Sequence, residues 1–248
     1  MVEPDSALLD RRDLLRVGAF VALLVGLVTW SAVAPHVARV GLWPAVTLIA
    51  ALVMPATLAL IYLALPLWPR RWMILAAAVF VVAAVITWKA DARLASNFIK
   101  LAAYTCAGWA FLRLFEQLSW VVIVAAIIPF VDAISVAAGP TNQIVNHHPA
   151  VYSAVAVAFL APGGGAAYLG PPDILFFALF LATTVRWRLR PGWTWLAMTG
   201  MYSLTLVTVN AVDVNGLPAL PFLSFGFLLA NGDLLWKRLR RPRPVQPS

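Results

Sequence analysis

The chain has 248 residues, 62% of them hydrophobic and only 11% charged, with a mean hydropathy of +0.88. A soluble domain is about one quarter charged, so these values exclude that class and define a polytopic helical membrane protein. The net charge of +8 is not a nucleic-acid footprint, because the basic residues gather in short loops and at the two ends, where they act as orientation signals.

At the N-terminus Arg11, Arg12 and Arg16 precede an apolar run, and Ala32-Val33-Ala34 looks like a cleavage site. The run is longer than the apolar region of a signal peptide and Pro35 would follow the cut, so it reads as a first span that stays attached. About 20 mostly apolar residues cross a bilayer. On that rule eight segments qualify, 17–34, 42–67, 72–88, 97–115, 118–138, 171–187, 193–212 and 217–236. The expected fold class is thus an all-α polytopic membrane protein of about eight transmembrane helices, eight to nine. The second segment contains Pro55 and Pro66 and should kink or tilt. Trp30, Trp43, Trp72, Trp88, Trp187, Trp193 and Trp236 mark span ends and read as interfacial anchors. The lone Cys106 rules out an internal disulfide and reads as a small core residue.

Between 138 and 171 lies a long connection. Gly139-Pro140 closes one helix, and Pro162-Gly163-Gly164-Gly165 breaks the chain again. Between them valines alternate with small residues from Val151 to Phe159, a period-two pattern that predicts a strand. A short amphipathic or spanning helix is the alternative; a ninth span at 149–166 would reverse the orientation of everything downstream, and the three glycines argue against it. His147-His148 falls in this connection without obvious partners. The last residues, with Lys237, Arg238, Arg240, Arg241 and Arg243 among prolines, form a basic tail. Arginines and lysines alternate between rich and poor loops. The positive-inside rule therefore puts both termini in the cytoplasm and 139–170 outside. The predominance of Arg over Lys suggests a GC-rich bacterial source, hence a bacterial plasma membrane. Asp213 and Asp233 read as bland, the latter with Lys237 four residues on.

Between Gln117 and Val185 only Asp132 and Asp173 carry formal charge. A carboxylate in hydrocarbon costs several kcal/mol unless it is neutralised or solvated in a cavity. Asp132 lies about 21 Å along its span from Leu118, just after Pro129. Asp173 opens the next span behind Gly170-Pro171-Pro172. On antiparallel spans both fall at comparable depth. Two carboxylates held close share one proton, so one member can accept a proton from water while the other polarises a peptide carbonyl. No metalloprotease, serine-nucleophile or phosphate-loop motif competes, and the pair needs no metal or cofactor. Asp173 could instead be a first-turn carboxylate favoured by the helix dipole, and Asp132 could serve a proton-coupled carrier. The residues alone leave protease and carrier level.

Phe130-Val131-Asp132, Tyr168-Leu169-Gly170-Pro171-Pro172-Asp173 and Leu217-Pro218-Ala219-Leu220-Pro221 together resemble the three motifs of the presenilin and signal peptide peptidase family of intramembrane aspartyl proteases. The likeness covers 117–236. Val131 stands where that family usually has Tyr, and Pro172 where it has the second Gly of its Gly-x-Gly-Asp motif. The resemblance implies a presenilin-like fold in which 1–116 supplies N-terminal helices, 117–236 the catalytic core and 237–248 a cytoplasmic tail. It implies that Asp132 and Asp173 are the catalytic pair, while Gly170, Pro172, Pro218, Ala219 and Leu220 position substrate. With the orientation above, it further implies substrates that are single-span membrane proteins or remnant signal peptides with a cytoplasmic N-terminus, met within the lipid bilayer. A catalytically silent homologue acting as a binding or chaperone-like factor is the other implied possibility.

Overall fold

The computed structural model describes residues 11–138, 149–212 and 217–240. Helices occupy 82% of the structure. α1 (Arg11–Val33) leads into α2 (Leu42–Leu48), a π turn (Ile49–Val53) and α3 (Met54–Ala64). Then come α4 (Met73–Lys89), α5 (Arg93–Leu112) and α6 (Leu118–Ala138). A seven-residue helix α7 (Pro149–Val155) precedes strands β1 (Val157–Leu160) and β2 (Ala166–Leu169). The chain ends in α8 (Pro171–Arg186), α9 (Pro191–Val212) and α10 (Leu220–Leu239).

Helix covers each of the eight apolar segments. Among the described residues, four helical stretches are long and apolar enough to cross a membrane by length and composition, Arg11–His36, Leu42–Leu67, Leu118–Ala137 and Pro191–Val212. The prolines act as expected on the second of these. Pro55 follows the π turn, and Pro66 falls in the closing 3-10 turn. A proline offers no N–H and crowds the preceding turn, so the helix widens before Pro55. Ser203 of α9 donates its hydroxyl to the Ala50 carbonyl in that widened turn at 2.6 Å.

One apolar core runs through both halves of the chain, from Leu58 and Trp109 to Phe177, Phe180 and Phe227. α5 packs closely on α8, because Gly108 lets the backbones meet: a Cβ there would stand 2.3 Å from the Leu175 carbonyl oxygen. α9 packs on α10 around Gly226, where a Cβ would lie 3.0 Å from the Ala197 carbonyl. At one end of that pair Arg190 makes two 2.8 Å hydrogen bonds to Asp233. The partner of Asp233 is thus Arg190, across helices, rather than Lys237 on its own helix.

The strand expected over 151–159 is corrected. Its first half is α7, and only Val157–Leu160 is extended. It forms an antiparallel hairpin with Ala166–Leu169, in register Val157 with Leu169 and Leu160 with Ala166. Gly163 and Gly164 turn the hairpin at φ +74 and +81, a region costly for residues with a Cβ. Such a short helix and hairpin leave no ninth span at 149–166. Gly139-Pro140, His147-His148, Asp213, Arg241 and Arg243 lie outside the described residues.

Candidate functional site

Asp132 and Asp173 line one cavity of about 910 Å³, within the size range of pockets that enclose a ligand. α6 packs chiefly against α10 and barely touches α8. The two carboxylates therefore face the same space from helices that are not packed on each other. The far wall comes from α2 and the π turn, through Val46 and Ile49, and the roof from α7 and β2.

Each carboxylate is tied down by one backbone amide. The N–H of Leu220 donates to Asp132 Oδ2 at 3.0 Å. This amide sits at the start of α10, where the first N–H groups of a helix have no partner within it. The N–H of Gly170 donates to Asp173 Oδ2 at 2.8 Å, so Asp173 caps its own helix. Pro171 and Pro172 occupy first-turn positions where a missing N–H costs nothing. Of the residues expected to position substrate, Gly170, Pro172 and Ala219 line the cavity, and Leu220 holds Asp132. Pro218 is half-buried beside them. Val131 faces away: it is 58% exposed, next to Phe130 and Ile134 at 70% and 68%. One residue from Asp132 is a turn of about 100° round the helix, so Val131 belongs to the outer surface.

Sequence reasoning missed the tyrosines. The chain has five, and three of them, Tyr152, Tyr168 and Tyr202, line the cavity. Tyr202 is buried, stacks on Phe177 with ring centroids 6.0 Å apart, and donates its hydroxyl to the Asp173 carbonyl at 2.9 Å. Tyr152 packs edge-on against Tyr168 at 6.1 Å. Burial, then the charges of Asp173, Asp132 and Tyr168, push the Tyr152 phenol up to about 12. It remains an O–H donor throughout the physiological range. The available signal was a tyrosine in apolar surroundings, whose hydroxyl needs a polar partner when buried.

α5 fixes the roof. Asn97, Lys100 and Tyr104 share one helix face at i, i+3 and i+7. The buried Lys100 ammonium donates to the carbonyls of Ala154 at 3.2 Å and Ala156 at 2.6 Å, and Tyr104 donates to Val155 at 2.7 Å. Together they satisfy carbonyls at the end of α7, which lack partners inside that helix. Asn97 donates to the Ala158 carbonyl at 2.9 Å and accepts its N–H at 2.8 Å. That takes up the outer edge of β1. In an antiparallel pair, facing residues either bond each other or turn both groups outward. Ala158 turns outward, so Tyr168 opposite it does so on β2, the strand that lines the cavity.

Trp30, expected at an interface, donates its indole N–H to the Leu160 carbonyl at 3.0 Å and ties α1 to the hairpin. Among the described residues no group of three or more His, Cys, Asp or Glu gathers as metal ligands would. The fold and site define a helical membrane protein with two carboxylates on one partly open cavity. Comparison with protein-family models, with curated proteins and with solved structures finds no match in any of the three.

Proposed function

We propose that this protein is an intramembrane aspartyl endopeptidase of the presenilin and signal peptide peptidase type. The observation that carries this reading is the shared cavity: two carboxylates distant in sequence open onto one space, and one of them is held by the amide of Leu220, the last residue of the Pro-Ala-Leu segment. In the reaction the ionised aspartate takes a proton from water, whose oxygen attacks the scissile carbonyl carbon. The protonated aspartate gives its proton to the carbonyl oxygen. Collapse of the tetrahedral intermediate breaks the C–N bond, and the amine leaves with a proton returned by the pair.

A spanning helix hides its peptide bonds in its own hydrogen bonds and must unwind first. The outward edge of β2 along the cavity offers a strand-addition site for that unwound segment. The loop charges favour cytoplasmic termini, and the predominance of Arg over Lys favours a bacterial plasma membrane. Substrates would then be single-span proteins or remnant signal peptides with a cytoplasmic N-terminus. The test is cleavage of such a substrate by the purified chain in liposomes. Cleavage lost in both Asp132→Asn and Asp173→Asn is the expected result, and cleavage surviving in either sinks the pair.

One observation favours a second reading, a catalytically silent binding factor of the same fold. Asp173 is engaged as a helix cap beside Pro172, a structural task that needs no chemistry. Wild type that binds single-span peptides in liposomes without cutting any of a broad panel would select this reading.

A further inference from the structure

A second cavity lies at the other end of α8. Arg186 ends that helix thirteen residues after Asp173, about 20 Å along its axis. This cavity is a shallow, open depression of about 340 Å³, lined by Trp68, Pro69, Arg71, Arg113 and Arg186. We propose that it binds a phosphate group, and that its ligand is the headgroup of an anionic phospholipid. The inference is independent of the proteolytic reading.

Three arginines from separate elements line the depression: Arg71 from the connection before α4, Arg113 from just past the end of α5 and Arg186 from the end of α8. Among the described residues the ion pairs are Arg93 with Asp91 and Arg190 with Asp233, so no carboxylate neutralises this trio. Like charges at one site repel unless an anion joins them. Two heads are fixed in advance. Arg113 donates through Nη2 to the Pro69 carbonyl at 3.0 Å and also to that of Arg70, and Arg186 donates through Nη1 to the Leu112 carbonyl at 2.8 Å. These bonds use part of a fork of five donors. The remaining N–H groups suit the bidentate geometry of a phosphate.

Two observations point to a lipid rather than free phosphate. Trp68 lines the site and Trp72 is 52% exposed beside it, as aromatic residues are at headgroup level. α4, which starts two residues after Arg71, carries a stripe of exposed apolar residues, Leu75, Val79, Val82 and Ile86. At helical spacing these form one continuous face, a track for an acyl chain whose phosphate sits among the arginines.

The test is native mass spectrometry of the full chain in mild detergent, titrated with phosphatidylglycerol, phosphatidylcholine or inorganic phosphate. Phosphatidylglycerol should form a saturable one-to-one adduct. Arg71→Gln, an exposed residue, should weaken that adduct about tenfold with thermal unfolding unchanged. Arg93→Gln, whose partner is Asp91, should leave it as in wild type. Phosphatidylcholine binding as tightly, or Arg71→Gln binding phosphatidylglycerol like wild type, would overturn the site. Inorganic phosphate displacing the lipid at equal concentration would overturn the lipid source and leave a free anion as ligand.

Discussion

Leu220 donates its backbone N–H to Asp132 at 3.0 Å across 88 residues of chain. The bond couples the carboxylate on α6 to the opening turn of α10, so the acid and the Pro-Ala-Leu segment move as one unit. Asp132→Asn keeps an oxygen acceptor for Leu220 and removes only the titrating group. It should fold normally and, on the proteolytic reading, lower cleavage by about three orders of magnitude. Asp132→Leu loses the acceptor as well. It should cost a further 1–3 kcal/mol or about that much, the penalty of an unpaired N–H, visible as a lowered thermal midpoint in detergent.

Lys100 holds the roof of the cavity through the carbonyls of Ala154 and Ala156. Lys100→Met preserves length and removes all three donors. Loss of charge-assisted bonds predicts a destabilisation of about 2 kcal/mol. Limited proteolysis should show earlier cutting between 149 and 170, where the freed segment lies.

Tyr152 offers a pH signature. Its phenol moves from the ordinary 10.0 up to about 12 in the folded protein. The native state therefore holds this proton through a window in which the unfolded chain has lost it. Its stabilising contribution is complete below pH 10 and disappears as pH rises toward 12. Thermal unfolding of wild type should weaken more steeply than that of Tyr152→Phe across this window. Equal slopes would place the hydroxyl in water, neither buried nor beside the two carboxylates.

Gly108 marks the closest approach of α5 to the helix bearing Asp173. Gly108→Ala would push its Cβ against the Leu175 carbonyl, two residues beyond Asp173. Overpacking of this kind predicts a loss of about 1–3 kcal/mol. Because the carbonyl belongs to the first turns of α8, activity should fall more than stability alone explains. Comparing Gly108→Ala with Gly200→Ala, where a Cβ meets nothing within 4 Å, isolates that effect.

The sequence by itself determined the helical membrane class, the places of the long helices and the oddity of two acids in apolar chain. Each follows from local composition: runs of apolar residues, prolines at Pro55 and Pro66, and carboxylates with no basic neighbour. Period-two alternation misled at 151–159, because small and branched residues fit a short helix as readily as a strand. The tertiary structure decided which half became α7, since Lys100 and Tyr104 supply partners for its terminal carbonyls. It also supplied β2, which has no pattern of its own and forms because Gly163 and Gly164 fold Ala166–Leu169 back onto β1. The motif pattern drew attention to Val131, yet the helical turn sends it outward, while the packing of α7 and α9 brings Tyr152 and Tyr202 to the cavity. The gathering of Arg71, Arg113 and Arg186 is likewise a matter of two helix ends and one connection meeting. Sequence reports what each segment prefers, and only packing reports which distant segments share a space.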